Sequence, residues 1–304
     1  MRVCLIGYGY WGKNLARVFG KDLVGIICDN NQENLDKAKE LYDVQYFSNK
    51  DELYQSDLEY DTVAIATKAD THFDLANKFL VADKNVWIEK PACINIKDIE
   101  RLIKIRRNKK VFVDHTFVYH PAIQKIKTID IGTPLYYDSH RISLGLFQKD
   151  VDAILDLAIH DLSILDYLYP DLVLDKRSII KNNHINDKAN QSILNLKFTN
   201  NFTATINVNW VSPVKKREII LAGSNSSIIF DDISVEKVKV YDTGEIGDDY
   251  NINSVKGYRN IEIPDMIEAL AQGYEEFKNS VKEDRQPLTS LERSHKIQSW
   301  VNQW

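Results

Sequence analysis

The sequence lacks most of the marks that would send it to another protein class. It has three cysteines, Cys4, Cys28 and Cys93, in 304 residues. They are odd in number, far apart and set in or beside apolar runs. That excludes a disulfide framework and any metal-ligand spacing, and it predicts buried thiols in a reducing compartment. No HExxH pair and no GxSxG elbow occurs, so no metal is assigned and no serine nucleophile is expected. No stretch approaches the roughly 20 apolar residues of a membrane span. The apolar part of Met1–Gly7 is too short for a signal-peptide core, which predicts a cytoplasmic protein with no membrane partner. Net positive charge is also missing: the formal charge is −5 and the isoelectric point about 5.8. The densest basic cluster, Arg106-Arg107 with Lys109-Lys110, closes a helical pattern, where cations suit the helix dipole. No nucleic-acid partner is expected. Neither an internal repeat nor a low-complexity linker is visible.

What is present is 304 residues with 44% apolar content, enough for about two domains. Residues 2–6 form a short apolar run, as in a buried parallel strand. Gly7-Tyr8-Gly9-Tyr10-Trp11-Gly12 follows at once, and Asn14–Phe19 has helical spacing. Leu23–Cys28 is a second run, ending at Asp29. Glu33–Tyr42 reads as a helix, Thr62–Thr67 as a strand and Phe73–Leu80 as a helix. Asn85–Ile88 then reads as a strand, Lys97–Arg107 as a helix and Val111–Asp114 as a strand. Such alternation predicts a doubly wound parallel sheet.

That context turns the glycine motif into a dinucleotide fingerprint. Gly7 permits the tight turn, Gly9 lets the backbone approach a pyrophosphate, and Gly12 lets the helix pack closely. Tyr10 and Trp11 lie in the same cofactor-binding loop. The helix N-terminus offers amide donors to phosphate. Asp29 would accept from the ribose hydroxyls and repel a 2′-phosphate. Asn30 and Asn31 follow it, with no arginine, so NAD is expected rather than NADP.

After about residue 117 the pattern changes. Leu135–Leu144 reads as a strand and Asp150–Leu168 as a helix. Arg177–Ile180, Gln191–Phe198, Phe202–Trp210, Glu218–Ala222, Ser227–Phe230 and Val235–Val240 read as strands. Turn residues at Thr199-Asn200-Asn201 and Ser224-Asn225 imply hairpins. Met266–Val281 and Ser294–Val301 read as closing helices. The expected class is α/β: a Rossmann domain over residues 1–117, then an α+β domain with a mainly antiparallel sheet over 118–304.

Two places concentrate reactive groups. Glu89-Lys90-Pro91 follows a strand of the first domain, where ligands of open α/β sheets lie. The alternative for Lys90 is a surface loop lysine. Asp156 and His160 stand four apart on a helix and so share a face. A carboxylate and an imidazole with a reference pKa of about 6.5 suit substrate binding and proton transfer. A structural pair at a helix end fits that spacing equally. His115 and His120 flank Phe117 and Tyr119, a segment that lines a cleft or forms an ordinary strand and loop.

With Gly7–Gly12, Ala66-Thr67 with His72, Glu89-Lys90-Pro91 and Asp156 with His160 in this order, the chain resembles the Gfo/Idh/MocA oxidoreductase family over almost its whole length. His115–Ala122 and Trp210–Arg217 resemble a branch linked to nucleotide-sugar and surface-polysaccharide synthesis. The resemblance implies an open antiparallel second-domain sheet used for oligomer contacts, in a homodimer or homotetramer. It implies an NAD(H)-dependent oxidoreductase acting on a secondary alcohol or ketone of a sugar or nucleotide-sugar. Lys90, Asp156 and His160 match the family's catalytic set, and these three with Tyr119 and His120 form the expected substrate site. Thr67, His72 and Glu89 join Gly7, Gly9, Tyr10, Trp11, Gly12, Asp29 and Lys90 at the cofactor. The alternatives are a dehydrogenase of a free sugar, cyclitol or dihydrodiol, or a non-catalytic NAD-binding regulator on the same fold. Lys68, Ala158 and His120 depart from the family's common proline, glycine and asparagine.

Overall fold

The computed structural model describes residues 1–20, 24–145, 147–185, 187–242, 257–263 and 267–302. Contacts divide the chain into two units, Met1–Thr116 with Leu270–Lys296, and Phe117–Ala269 with Ile297–Trp304.

In the first unit, strands β1 (Val3–Ile6), β2 (Val24–Cys28), β3 (Gln45–Phe47), β4 (Thr62–Ile65), β5 (Asn85–Glu89) and β6 (Val111–Asp114) form one parallel sheet. Its order is β3-β2-β1-β4-β5-β6. The chain winds outward from β1 to β3, then restarts at β4 on the other side of β1. That switch point is where ligands of open α/β sheets bind, beyond the carboxyl ends of the strands. Every residue of β1, β4 and β6 is buried, as helices on both faces require. The connecting helices are α1 (Tyr10–Phe19), α2 (Gln32–Lys39), α3 (Lys50–Gln55), α4 (His72–Val81) and α5 (Ile96–Ile105). Both β3 and α3 escape the periodicity reading, because a three-residue strand and a six-residue helix carry too few apolar positions. Leu23, where the second strand was expected to begin, lies outside the described residues.

The boundary at residue 117 needs one correction. Residues 270–296 belong to the first unit and not to the second. On α8 (Ala269–Lys282) the Phe277 ring lies 5.7 Å from Trp87 and 5.8 Å from Phe112, between centroids. Tyr274 of the same helix lies 5.1 Å from Phe19. These rings fasten the helix to the sheet through apolar burial and edge contacts. Met266, where this helix was expected to start, lies outside the described residues. The helix α9 (Leu291–Ser299) follows.

The second unit has an eight-stranded sheet. Its strands are β7 (Pro134–Leu144), β8 (Leu174–Asn182), β9 (Gln191–Phe198), β10 (Thr203–Asn209), β11 (Val211–Gly223), β12 (Ser226–Asp231), β13 (Val238–Asp242) and β14 (Arg259–Asn260). The order is β14-β13-β12-β11-β7-β10-β9-β8. β7 and β10 pair in parallel, and the other neighbours are antiparallel. Burial alternates along β9 and β10, so one face is interior. There Leu194, Leu196, Ile206 and Val208 share a core with Ile154, Ala158, Leu162 and Leu165. Asn201 turns the β9–β10 hairpin at φ 65°, a conformation asparagine tolerates.

The helix expected over Asp150–Leu168 is two structures. Asp152 Oδ1 accepts from the amides of Ile154 and Leu155, both at 3.1 Å, and so starts the helix there. Ile154–Ala158 is then π-helical, and α7 (Ile159–Leu168) continues as an α-helix. A short α6 (Pro121–Ile126) was not expected.

Candidate active site

In the first unit the glycine loop is shaped by lack of room. Gly7 sits at φ +90°, and a Cβ there would meet the Ala66 carbonyl oxygen at 2.4 Å. A Cβ on Gly12 would meet the Gly7 carbonyl oxygen at 1.9 Å. Gly9 is the opposite case, because a Cβ there would meet nothing within 4 Å. The open side of the loop is therefore at Gly9. α2, α3 and α5 each receive a side-chain cap, from Asn31, Asn49 and Asn95. α1 begins at Gly9 with no side-chain cap and no acid in its first turn. Its partial positive end suits an anion. Tyr10 is 79% exposed and Trp11 43%, beside that end.

Asp29 closes the other side of the loop. Its Oδ2 accepts from the Tyr8 amide at 2.6 Å and from Asn34 Nδ2 at 3.2 Å, and its Oδ1 accepts from the Asn31 amide at 2.7 Å. The carboxylate thus holds the loop against the end of β2. Two residues expected at the cofactor, His72 and Glu89, are buried. His72 is buried, with Nδ1 2.8 Å from the Pro91 carbonyl and Nε2 3.1 Å from the Thr67 carbonyl. It ties together the turns that follow β4 and β5. Glu89 is likewise buried, and pairs in register with Asp114 of β6. Thr67 is half-buried, with Oγ1 2.7 Å from Thr71 Oγ1. Lys90 is half-buried at the carboxyl end of β5, and the Lys90–Pro91 bond is cis. Lys68 is exposed.

Within the second unit, Asp156 lies on the π-helical segment and His160 on the first turn of α7. Both are half-buried. Trp210 Nε1 donates to Asp156 Oδ2 at 3.1 Å, and Phe147 packs its edge on the Trp210 ring. The Phe117 ring sits 5.1 Å from His160, edge to face, and 4.2 Å from the Arg141 guanidinium. Arg141 in turn grips Asp161 through Nε at 2.8 Å and Nη2 at 3.3 Å. Arg141 and Asp161 are both buried, and Asp161 keeps the guanidinium charged against the cost of burial. Thus the residue beside His160 anchors the helix that carries it. Ala158 packs wholly inside the core.

Tyr119 and His120, expected at the substrate, fare differently. Tyr119 is 2% exposed. His120 Nδ1 accepts from the Ala122 amide at 3.1 Å and caps α6. Its Nε2 lies 3.6 Å from Asp232, and burial lowers its pKa despite that carboxylate. Arg217 bonds Asp232 at 3.2 Å and Lys216 pairs with Glu218 at 2.7 Å. Three partners were missed: Arg141, Asp114 and Asp232. Arg141 and Asp161 lie on separate elements, and no local pattern links them.

Residues 1–117 match the model of the oxidoreductase family with an NAD-binding Rossmann fold, GFO_IDH_MocA. The chain is an oxidoreductase that carries that family's NAD-binding Rossmann domain over residues 1–117. The chain is 26% identical over 294 residues to UDP-N-acetylglucosamine 3-dehydrogenase of Acidithiobacillus ferrooxidans, covering 94% of this chain and 90% of the relative. It is 26% identical over 192 residues to myo-inositol 2-dehydrogenase of Thermotoga maritima, 55% and 54% of the two chains. The solved Acidithiobacillus enzyme superposes with a TM-score of 0.84 at 21% identity, over 99% and 95% of the chains. An Agrobacterium radiobacter oxidoreductase, solved with NAD⁺, L-tartaric acid and magnesium, gives 0.81 at 17% identity, over 99% and 94%. The uncapped α1 and the space at Gly9 fit a dinucleotide pyrophosphate. Among the described residues no helix is long and apolar enough to cross a membrane.

Proposed function

We propose that the chain is an NAD(H)-dependent dehydrogenase of a secondary alcohol on a nucleotide-sugar, working in reverse as a ketone reductase. The observation that carries the reading is the uncapped N-terminus of α1 beside the open Gly9, faced by a carboxylate at the end of β2. Gly7, Gly9, Tyr10, Trp11 and Gly12 would receive the dinucleotide. Asp29 would face the adenosine ribose, and its charge disfavours the 2′-phosphate of NADP. A bound nicotinamide would take up or supply hydride. The rest of the chemistry falls to the protein. His160 would take the hydroxyl proton of the alcohol, or return it to the ketone. Lys90 would hold the reacting oxygen, and Asp156, fixed by Trp210, would bind and orient the sugar. His120 lies in the substrate segment, and its Asp232 contact would orient any sugar contact that it makes. The nucleotide-sugar choice draws on the relative that matches 94% of this chain and is named a UDP-N-acetylglucosamine 3-dehydrogenase.

The same reading makes the protein a cytoplasmic homodimer or homotetramer joined through the second-unit sheet, which light scattering on a sizing column checks. The activity is tested by following NADH absorbance with NAD⁺ and a panel of UDP- and dTDP-sugars, free sugars and cyclitols. NADH formed with a UDP- or dTDP-sugar supports the reading. NADH formed only with a free sugar or cyclitol overturns the substrate class. Tight NAD binding with no turnover in either direction overturns the enzyme and favours a regulator.

A further inference from the structure

At the carboxyl ends of β5 and β6, Glu89 and Asp114 are paired residues on adjacent strands, 6% and 1% exposed. Residues paired across neighbouring strands project to one face, so the two carboxyl groups are brought together in the interior, where two carboxylates repel unless one holds a proton. Thr116 Oγ1 donates to Asp114 Oδ1 at 2.7 Å. The other Asp114 oxygen and Glu89 Oε1 are buried, with no donor in hydrogen-bonding geometry among the described residues. Lys90, the residue after Glu89, acts on both groups with its positive charge. Trp87 of β5 also approaches Asp114, its indole N–H buried and short of good hydrogen-bond geometry. Beside Asp114, His115 is buried, with Nε2 3.0 Å from Ser294 Oγ.

We propose that Glu89 and Asp114 form a carboxyl pair that keeps one proton between them and presents a single negative charge to Lys90. Glu89 is the donor and Asp114 the acceptor. Two carboxylates here would place two charges in a buried site, while the positive charge of Lys90 favours keeping one of the two ionised. The electrostatics agree. Burial, then the neighbouring Asp114, pushes the Glu89 carboxyl well up. Burial raises Asp114 to about 6, opposed by Thr116, Glu89, Lys90 and Trp87. Burial and the nearby Lys90 lower His115 to about 3, so His115 adds no second cation. In this account Glu89 and Asp114 are positioning residues that act through Lys90. The catalytic consequence rests on the role given to Lys90 above, whereas the shared proton does not.

Infrared difference spectra of the whole protein, titrated from neutral to alkaline pH, test the shared proton. The wild type is expected to show the C=O stretch of a protonated carboxyl at neutral pH. Glu89→Gln should remove it. Asp114→Asn should shift or remove it, because its hydrogen-bond partner changes. No such band in the wild type, or a band unchanged in both variants, overturns the pair. Thermal melts give an independent reading. Both carboxyls bind protons more tightly folded than unfolded, so their stabilisation is full below the ordinary carboxylate range. It is lost as pH rises through about 6 for Asp114, and higher for Glu89. The melting temperature of Glu89→Gln should fall less than that of the wild type over this window, and parallel curves contradict the pair. With turnover in hand, Asp114→Asn should lower kcat about tenfold or more, the scale of one lost charge-assisted contact, and shift its pH profile while KM for NAD⁺ holds. If the wild type shows no turnover, the functional reading fails while the infrared band still decides the pair.

Discussion

The two units hold their functional groups by opposite means. In the first, the binding loop is held by its own backbone. Gly7 and Gly12 leave no space for a side chain, and the Asp29 carboxylate takes the Tyr8 amide. In the second, each key side chain is held by another from a distant part of the chain. Trp210 holds Asp156 across 54 residues, and Arg141 holds Asp161 across 20. A cofactor common to many enzymes suits a backbone cradle, because the cradle depends on few residue identities. A substrate peculiar to one enzyme suits side-chain pairs, because each can be exchanged alone.

The contrast can be broken at either end. The largest expected effect is on chemistry. His160→Ala should lower turnover by about 10²–10⁴-fold, the usual worth of general acid–base catalysis, and unchanged turnover would remove His160 from the mechanism. Next is the buried ion pair. Arg141→Met strands the Asp161 carboxylate and should cost about 3–5 kcal/mol in denaturant unfolding. Arg141→Met with Asp161→Leu should recover much of that loss, and no recovery would contradict a simple pair. A smaller cost belongs to the glycine loop. Gly12→Ala drives a methyl onto the Gly7 carbonyl and should cost about 1–3 kcal/mol, while Gly9→Ala should leave the melting temperature alone. Equal melting losses would sink the idea that only one of the two positions is crowded. The smallest effect is Trp210→Phe. Losing the bond to Asp156 should cost about 0.5–1.5 kcal/mol of stability and raise KM for substrate more than for NAD⁺.

The same division governs how far the residues alone could be read. The parallel sheet and its glycine loop were legible because their signals are local: a buried run, three glycines and an acid at the end of the next strand. The hairpins of the second unit were legible from alternation, and β9 was read to its ends. Short elements were not, as with β3, α3 and α6. Nor was the π-helical turn at Ile154–Ala158, since apolar spacing alone looks α-helical there. The return of residues 270–296 to the first unit has no local mark, because α8 shows only that it has an apolar side. The Asp156 and His160 spacing was visible, but not the partners that hold them. The burial of His72, Glu89 and Tyr119 was equally hidden, since motif position says nothing of exposure.

The central claim is that the first unit binds the dinucleotide and the second carries the proton chemistry. Calorimetric titration of NAD⁺ into the wild type, Gly9→Ala and His160→Ala tests it without knowledge of the substrate. The account predicts binding by the wild type, much weaker binding by Gly9→Ala at an unchanged melting temperature, and full affinity in His160→Ala. A wild type that does not bind NAD⁺, or a His160→Ala variant that loses it while Gly9→Ala keeps it, would contradict the account.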